Sequence, residues 1–340
     1  MPGYIKGFLW FLICLMIPAC HPTRNGETES LFRIRSVDFY YTDIPGIGFE
    51  SGITRRDPSD VISVDDTCYV YYTRVEGRAP GYWGTVWYAF SCDMGTTWKE
   101  RGEVLGPGAP GAFDSFGVFT PNIIHFKDHY YLFYTGVQPT PERIDGAFEN
   151  NSTSDCTAIG VAVSRSPHGP FVRASQPVLM PSDEPSAFDS YRVDDAALLW
   201  RNDSIWLYYK GRSRIHGEHG PGMTRMGVAF AAHPAGPFQK YGTDILAGSH
   251  EVLIWPEGNG VAALASIHST IEFAPDGIDF RSHPLALPVE NRPQAPGLFR
   301  PDLIDPDDGQ GAFEWGIAMV LNGAECYLIR YDCLVKANIE

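Results

Sequence analysis

The chain has 340 residues, 44% hydrophobic and 13% aromatic, with 35 glycines and 27 prolines. That is enough for a large core broken by many turns. A formal net charge of -15, with no basic patch to offset it, excludes nucleic acid as a partner.

Residues 1–20 read as a lipoprotein-type signal peptide. Lys6 supplies the positive start, and residues 7–19 are too short for an ordinary membrane span. Ile17-Pro18-Ala19-Cys20 resembles a lipobox, in which a small residue precedes a cysteine that takes a lipid. Pro18 is unusual there, so plain secretion is the alternative. Residues 21–38 read as a tether and 39–340 as the catalytic domain. The expectation is an exported bacterial lipoprotein, periplasmic or at the outer membrane or cell surface, touching a membrane only through Cys20. Five cysteines then remain, Cys68, Cys92, Cys156, Cys326 and Cys333, without metal-ligand spacing. They read as buried free thiols.

Repetition sets the fold. The stretch RDPSDVISVDDTCYVYYT (56–73) has a polar or acidic start, an apolar run, a charged turn and a tyrosine-rich strand. TPNIIHFKDHYYLFYT (120–135) and FDSYRVDDAALLWRNDSIWLYYKG (188–211) follow the same order. The first unit starts at Asp57, with strands at 61–64, 68–73 and 85–91. It then runs through Ser91-Cys92-Asp93-Met94-Gly95-Thr96-Thr97-Trp98, which matches the Asp-box hairpin S-x-D-x-G-x-T-W. There Asp and Ser bond turn amides, Gly takes a positive φ and Trp packs beneath, a structural role.

The second unit starts at residues 120–122 and the third at Asp195; their outer turns, SPHGPF and HPAGPF, echo each other. The fourth starts at His250-Glu251 and ends near 280. The fifth starts at Arg300-Pro301-Asp302 and turns at Asn322-Gly323. Units of roughly 50 to 75 residues hold four short strands each. The expectation is an all-β protein, a five-bladed β-propeller. A sandwich is the alternative, but it leaves the matching starts unexplained.

In a propeller the unit starts converge on the central channel. Asp57, Asp195 and Glu251 are acidic starts, beside Arg56, Asn122, Arg192, Asp194, His250, Arg300 and Asp302. One such acid is ordinarily a turn cap; three at equivalent positions point to function. Converging carboxylates suit glycoside hydrolysis, where one activates water and a protonated partner serves the leaving oxygen.

Acidic starts in units one, three and four resemble the pattern of family 43 five-bladed glycosidases. More closely, the chain resembles glycoside hydrolase family 117, the α-1,3-(3,6-anhydro)-L-galactosidases acting on neoagaro-oligosaccharides. The likeness is carried by RRDPSDVI (55–62), YWGTVWYAFS (82–91), GAFDSFGVFTPNI (111–123), FDSYRVDDAALL (188–199), SHEVLIWP (249–256), TIEFAPDGIDF (270–280) and FRPDL (299–303).

The resemblance implies an exo-acting, inverting glycosidase with Asp57 as general base. Asp195 is the group that tunes and orients the acid, with Asp194 the other choice. Either Glu251 or His250 is the proton donor, His250 matching a family histidine. Arg56, Trp83, Thr120, Asn122, Arg192 and Arg300 are expected to bind sugar; the arginines could equally pair with neighbouring acids, and Trp83 could be packing. An oligosaccharide is the expected partner. No cofactor is required by the sequence. Related propellers can carry a divalent cation in the channel, and the sequence assigns none. His216 and His219 lack helical ligand spacing. A sister activity on another galactan or arabinan, and a non-catalytic glycan-binding propeller, are the rival readings. Family members often swap an N-terminal helical segment between subunits. The segment after Cys20 is short and not helical by pattern, so a homodimer is left open without that device.

Overall fold

Each tyrosine-rich repeat folds as a small antiparallel sheet, and there are five. The computed structural model describes residues 32–76, 84–138, 156–280, 282–306, 313–323 and 325–337. The signal, Cys20 and Trp83 lie outside them.

Blade one runs outward from Ile53–Arg56 and Ile62–Val64 through Thr67–Glu76 and Thr85–Ser91 to Lys99–Leu105. Blade two has Gly117–Phe126 innermost, then His129–Gln138, Cys156–Ser164 and Val172–Arg173. Blade three has Arg192–Arg201, Ser204–Arg212 and Arg225–Ala231, edged by Gln239–Lys240 and Leu246–Ala247. Blade four has Val252–Glu257, Gly260–Ala265, Thr270–Ala274 and Ser282–Ala286. Blade five has Gln294–Leu298 innermost, then Trp315–Asn322 and Glu325–Ala337, and its outermost strand is Ile34–Asp43.

The N-terminal strand therefore completes the last blade and closes the ring. It begins inside the stretch read as a tether, because Ile34, Val37 and Phe39 are buried in the apolar layer that also holds Trp255 and Tyr331. A second closure joins the inner strands of blades one and five, where Val61 N–H donates to Leu298 O at 2.7 Å and Arg300 N–H to Val61 O at 2.8 Å.

The fifth start also differs from expectation. Arg300-Pro301-Asp302 resembles Arg56-Asp57-Pro58 in sequence, but residues 301–303 form a short 3-10 turn below the inner strand. The position equivalent to Asp57 is Ala295.

Apolar layers fill the spaces between blades. Ile123, Leu132, Phe133 and Val161 pack with the faces of blades one and three, and Ile254, Val261 and Ala263 pack against Tyr208 and Val228. The Asp-box forms as read: Asp93 Oδ1 accepts the Thr97 amide at 2.9 Å, and Trp98 Nε1 donates to Gly95 O at 3.1 Å. Gly95 has φ +78°, and a Cβ there would meet the Trp315 ring at 2.6 Å. The five cysteines are free thiols, but only Cys68 is buried; Cys92 and Cys156 are exposed.

A further repeat fixes the strand beside the channel. Tyr134 O–H and Arg173 both donate to Asp114, at 2.9 and 2.8 Å. Tyr209 O–H and Lys240 donate to Asp189 in the same way, at 2.9 and 2.5 Å. In blade one Tyr72 O–H and Arg55 donate to Glu100, each at 2.7 Å. The residue after each of these tyrosines, Thr73, Thr135 or Lys210, bonds to Thr120 or Asp195 on an innermost strand.

Candidate active site

The innermost strand of a blade is interrupted at the same place in four blades. Asp57, Thr120, Asp195 and Ala295 have φ of 50°, 44°, 54° and 40°. The ladder slips between Phe119 and Asn122, between Asp194 and Ala197, and between Gln294 and Gly297. A left-handed conformation is costly for a residue with a Cβ, and more so for a β-branched threonine. A bulge re-aims the side chain it carries. Pro58, Pro121 and Pro296 follow three of these residues, and proline suits a place where no ladder N–H is needed.

The consequence is one cavity on the axis. It is lined by Asp57-Pro58, Thr120-Pro121, Asp195-Ala196, Glu251-Val252 and Ala295-Pro296, one pair from each blade, with Asp60 and Asn122. Its volume is about 50 Å³, room for one or two waters. A sugar ring must therefore sit at the mouth.

The bulges are tied across blade boundaries. Thr120 N–H donates to Thr73 Oγ1 at 3.1 Å, and Asp195 N–H donates to Thr135 Oγ1 at 3.3 Å. The hydroxyls of Thr120 and Thr135 lie 2.6 Å apart. In blade four the amides of His250 and Glu251 turn instead to Ser266 Oγ of their own blade, at 2.9 and 3.1 Å.

Asp57 is half-buried and its Oδ2 accepts from Arg56 Nη1 at 2.5 Å; the Arg56 guanidinium also lies 5.8 Å from the Phe119 ring centroid. Asp195 accepts from Lys210 Nζ through Oδ2 at 2.5 Å. Its Oδ1 is buried and has no hydrogen-bond partner among the described residues. Burial pushes the Asp195 carboxyl up to about 7, with Asp194 and Asp57 adding to the rise and Lys210 opposing it.

Asp194 does not line the cavity. It lies behind Asp195, with Arg192 Nη2 2.8 Å from Oδ2 and Lys210 Nζ 3.3 Å from Oδ1. Burial opposes its ionisation, but Lys210 and Arg192 hold it below the usual carboxylate range. Arg192, expected to bind sugar, is thus engaged with Asp194 and is 3% exposed.

His250 Nδ1 lies 3.2 Å from Pro221 O, in the 3-10 segment Arg214–Met223. A carbonyl only accepts, so Nδ1 carries hydrogen and Nε2 is the atom free to gain or lose a proton. The positive charge of Lys210, then burial, holds His250 below its ordinary value. Glu251 lines the cavity; against the pull of burial, His250 and Ser266 hold its carboxyl low.

Of the other expected binding residues, Thr120 and Asn122 line the cavity, Asn122 donating from Nδ2 to Asp60 Oδ2 at 3.2 Å. Arg300 does not. It is fully buried, forks onto Asp302 at 2.7 and 2.6 Å, and donates to Ile254 O at 2.8 Å and Leu198 O at 3.3 Å. It ties the inner strands of blades three and four to blade five. Among the described residues no group of three or more His, Cys, Asp or Glu side chains is placed to hold a metal ion, His216 and His219 included.

Sequence reasoning missed Lys210 and Asp60. Asp60 accepts the Leu298 amide through Oδ1 at 2.8 Å and so braces the inner strand of blade five. Lys210 had a visible signal: the tyrosine-rich strands end Tyr-Tyr-Thr at 73, Phe-Tyr-Thr at 135 and Tyr-Tyr-Lys at 210.

The model of the glycosyl hydrolases family 43 matches residues 53–220. Among solved structures, the chain is similar to a family 117 glycoside hydrolase produced by the marine bacterium Zobellia galactanivorans. The identity is 27% over 90% of this chain and 91% of that one, with a TM-score of 0.72. It shares its fold with a thermostable family-43 glycoside hydrolase, at 14% identity over 88% of this chain and 96% of that one, TM-score 0.55. It also shares it with a family 43 enzyme from Xanthomonas citri, at 16% identity over 85% and 89%, TM-score 0.51. No curated protein matches the sequence. With three acids from three blades on one axis, the chain is a glycoside hydrolase of propeller fold, similar to a family 117 glycoside hydrolase and, over residues 53–220, to the family 43 model.

Proposed function

We propose that the protein is an exo-acting glycosidase that releases a terminal α-1,3-linked 3,6-anhydro-L-galactose, or a related sugar, from neoagaro-oligosaccharides with inversion. The observation that carries this reading is the single cavity lined by Asp57, Asp195 and Glu251. Asp57, steadied by Arg56, is the base that takes a proton from the attacking water. The cavity has room for that water and not for a ring, so the sugar presents its anomeric carbon from the mouth. Inversion needs base and donor carboxyls about 6.5–9.5 Å apart.

Asp195 interacts with Asp194 and Lys210, and Glu251 interacts with His250 and Lys210, so the lysine stands between two interacting pairs. Asp195 keeps a proton near neutral pH and faces the same cavity as Glu251, and the proton donor is whichever of Glu251 and His250 lies against the leaving oxygen. An anchor at Cys20 would hold this chemistry at a membrane surface, where imported oligosaccharides are trimmed.

The test is hydrolysis of neoagarobiose, beside a panel of galactan and arabinan oligosaccharides, by the parent and by Asp57→Asn. Cleavage of neoagarobiose that falls about 10²–10⁴-fold in the variant is the expected result. Cleavage of another panel member alone would reassign the substrate. Binding without cleavage by the parent would make the propeller a glycan-binding protein.

A further inference from the structure

Lys210 stands where the other blades carry an uncharged side chain. It pairs in the ladder with Asp194, as Thr73 pairs with Arg56, Thr135 with Phe119 and Met319 with Gln294. Thr73 and Thr135 each accept the amide of the next blade's bulge. An ammonium has only donors, so Lys210 cannot do this for blade four. The amides of His250 and Glu251 are instead accepted by Ser266 of their own blade. Threonine ties join blade one to two and blade two to three, and the cation stands where the next tie would be.

The groups that face this cation are few. Asp194, Asp195 and Arg192 come from the inner strand of its own blade, and His250 and Glu251 come from blade four. Asp57 acts on Asp195 from blade one. Lys210 Nζ touches only one oxygen of Asp195.

We propose that Lys210 is a positioning residue of the site: it pins Asp195 by Oδ2, leaves Oδ1 for the ligand, and sets its positive charge toward the His250 ring. This rests on the glycosidase reading above. A lysine suits the task because a point charge can reach both Asp194 and Asp195, whereas a planar guanidinium would claim both oxygens of one carboxylate. The removal of its charge is felt at His250, since Lys210 is the first cause of that ring's low affinity for a proton.

The experiment uses Lys210→Thr, the residue of blades one and two, and Lys210→Arg. The His250 ring is titrated by ¹H–¹⁵N NMR, which needs no substrate, and kcat and KM are followed against pH. In the folded Thr variant the His250 midpoint is expected to rise by about one unit or more. In the Arg variant the midpoint stays with the parent, while kcat falls at least about tenfold with KM little changed. A folded Thr variant with an unmoved His250 midpoint would overturn the proposal. So would an Arg variant with parental kcat, which keeps the test decisive even if the Thr variant fails to fold. Failure of the glycosidase reading would show separately, as a parent inactive on every oligosaccharide with the His250 response intact.

Discussion

Asp195 of the third blade donates its backbone amide to the side chain of Thr135 in the second, at 3.3 Å. That bond reaches across the blade boundary and holds the strained backbone that aims Asp195 at the axis. Thr135→Val keeps the shape and removes the acceptor. A buried amide left without a partner costs about 1–3 kcal/mol. The variant is expected to melt several degrees lower and to lose more in kcat than in substrate affinity. Thermal unfolding with paired kinetics checks both, and a full-activity variant would show that the tie does not orient Asp195.

Arg300 gives the opposite pattern. All of its contacts are internal, so Arg300→Ala leaves Asp302 and Asp60 buried without their cation. Breaking a buried pair costs about 3–5 kcal/mol. The expected outcome is a marked loss of stability in urea, with Arg300→Lys a poor rescue because a point charge cannot reproduce the fork. A soluble alanine variant of parental stability with weakened sugar binding would instead place Arg300 in the binding site.

The raised Asp195 carboxyl has a consequence for stability. The folded chain holds this proton at a pH where the unfolded chain has lost it. Its contribution therefore falls as pH rises from about 4 to about 7 and is level above that. Asp194 and Glu251, whose values are lowered, act in the reverse sense and lose stability as pH falls. Asp195→Asn removes only the first effect. The stability difference between variant and parent should move in the variant's favour from pH 4 to 7, by up to about 1.4 kcal/mol per unit. Urea unfolding across that range reads it directly; a constant difference would contradict the assignment.

The Asp-box should separate structure from chemistry. Asp93 accepts from the Thr96 and Thr97 amides and the Thr97 hydroxyl, at 3.2, 2.9 and 2.6 Å. Asp93→Ala is expected to lower the melting temperature and leave kcat/KM unchanged. A selective loss of activity would give this hairpin a role in the site.

How much of this was legible follows from what each signal encodes. The Asp-box is a local turn, so its residues suffice to read it. The starts at Asp57 and Asp195 were legible because a bulge that aims an acid leaves both the acid and a repeat in the sequence; in the second unit the repeat alone marked residues 120–122. Ala295 fills the same place with no functional group, and Arg300-Pro301-Asp302 imitates the pattern nearby; only the ladder distinguishes them. Lys210 takes the place of Thr73 and Thr135 after the tyrosines, which the sequence displays; that this place lies opposite the inner-strand bulge shows only in the pairing. The strand at Ile34 was hidden because its partners lie at the other end of the chain.

The account rests on acids distant in sequence serving one ring of sugar at the propeller axis. A crystal structure of Asp57→Asn with neoagarobiose tests this most directly. The account predicts the non-reducing sugar at the mouth, its anomeric carbon between residue 57 on one side and Glu251 or His250 on the other, with Asp195 in contact. A ring bound away from the axis, or touching none of these side chains, would contradict it.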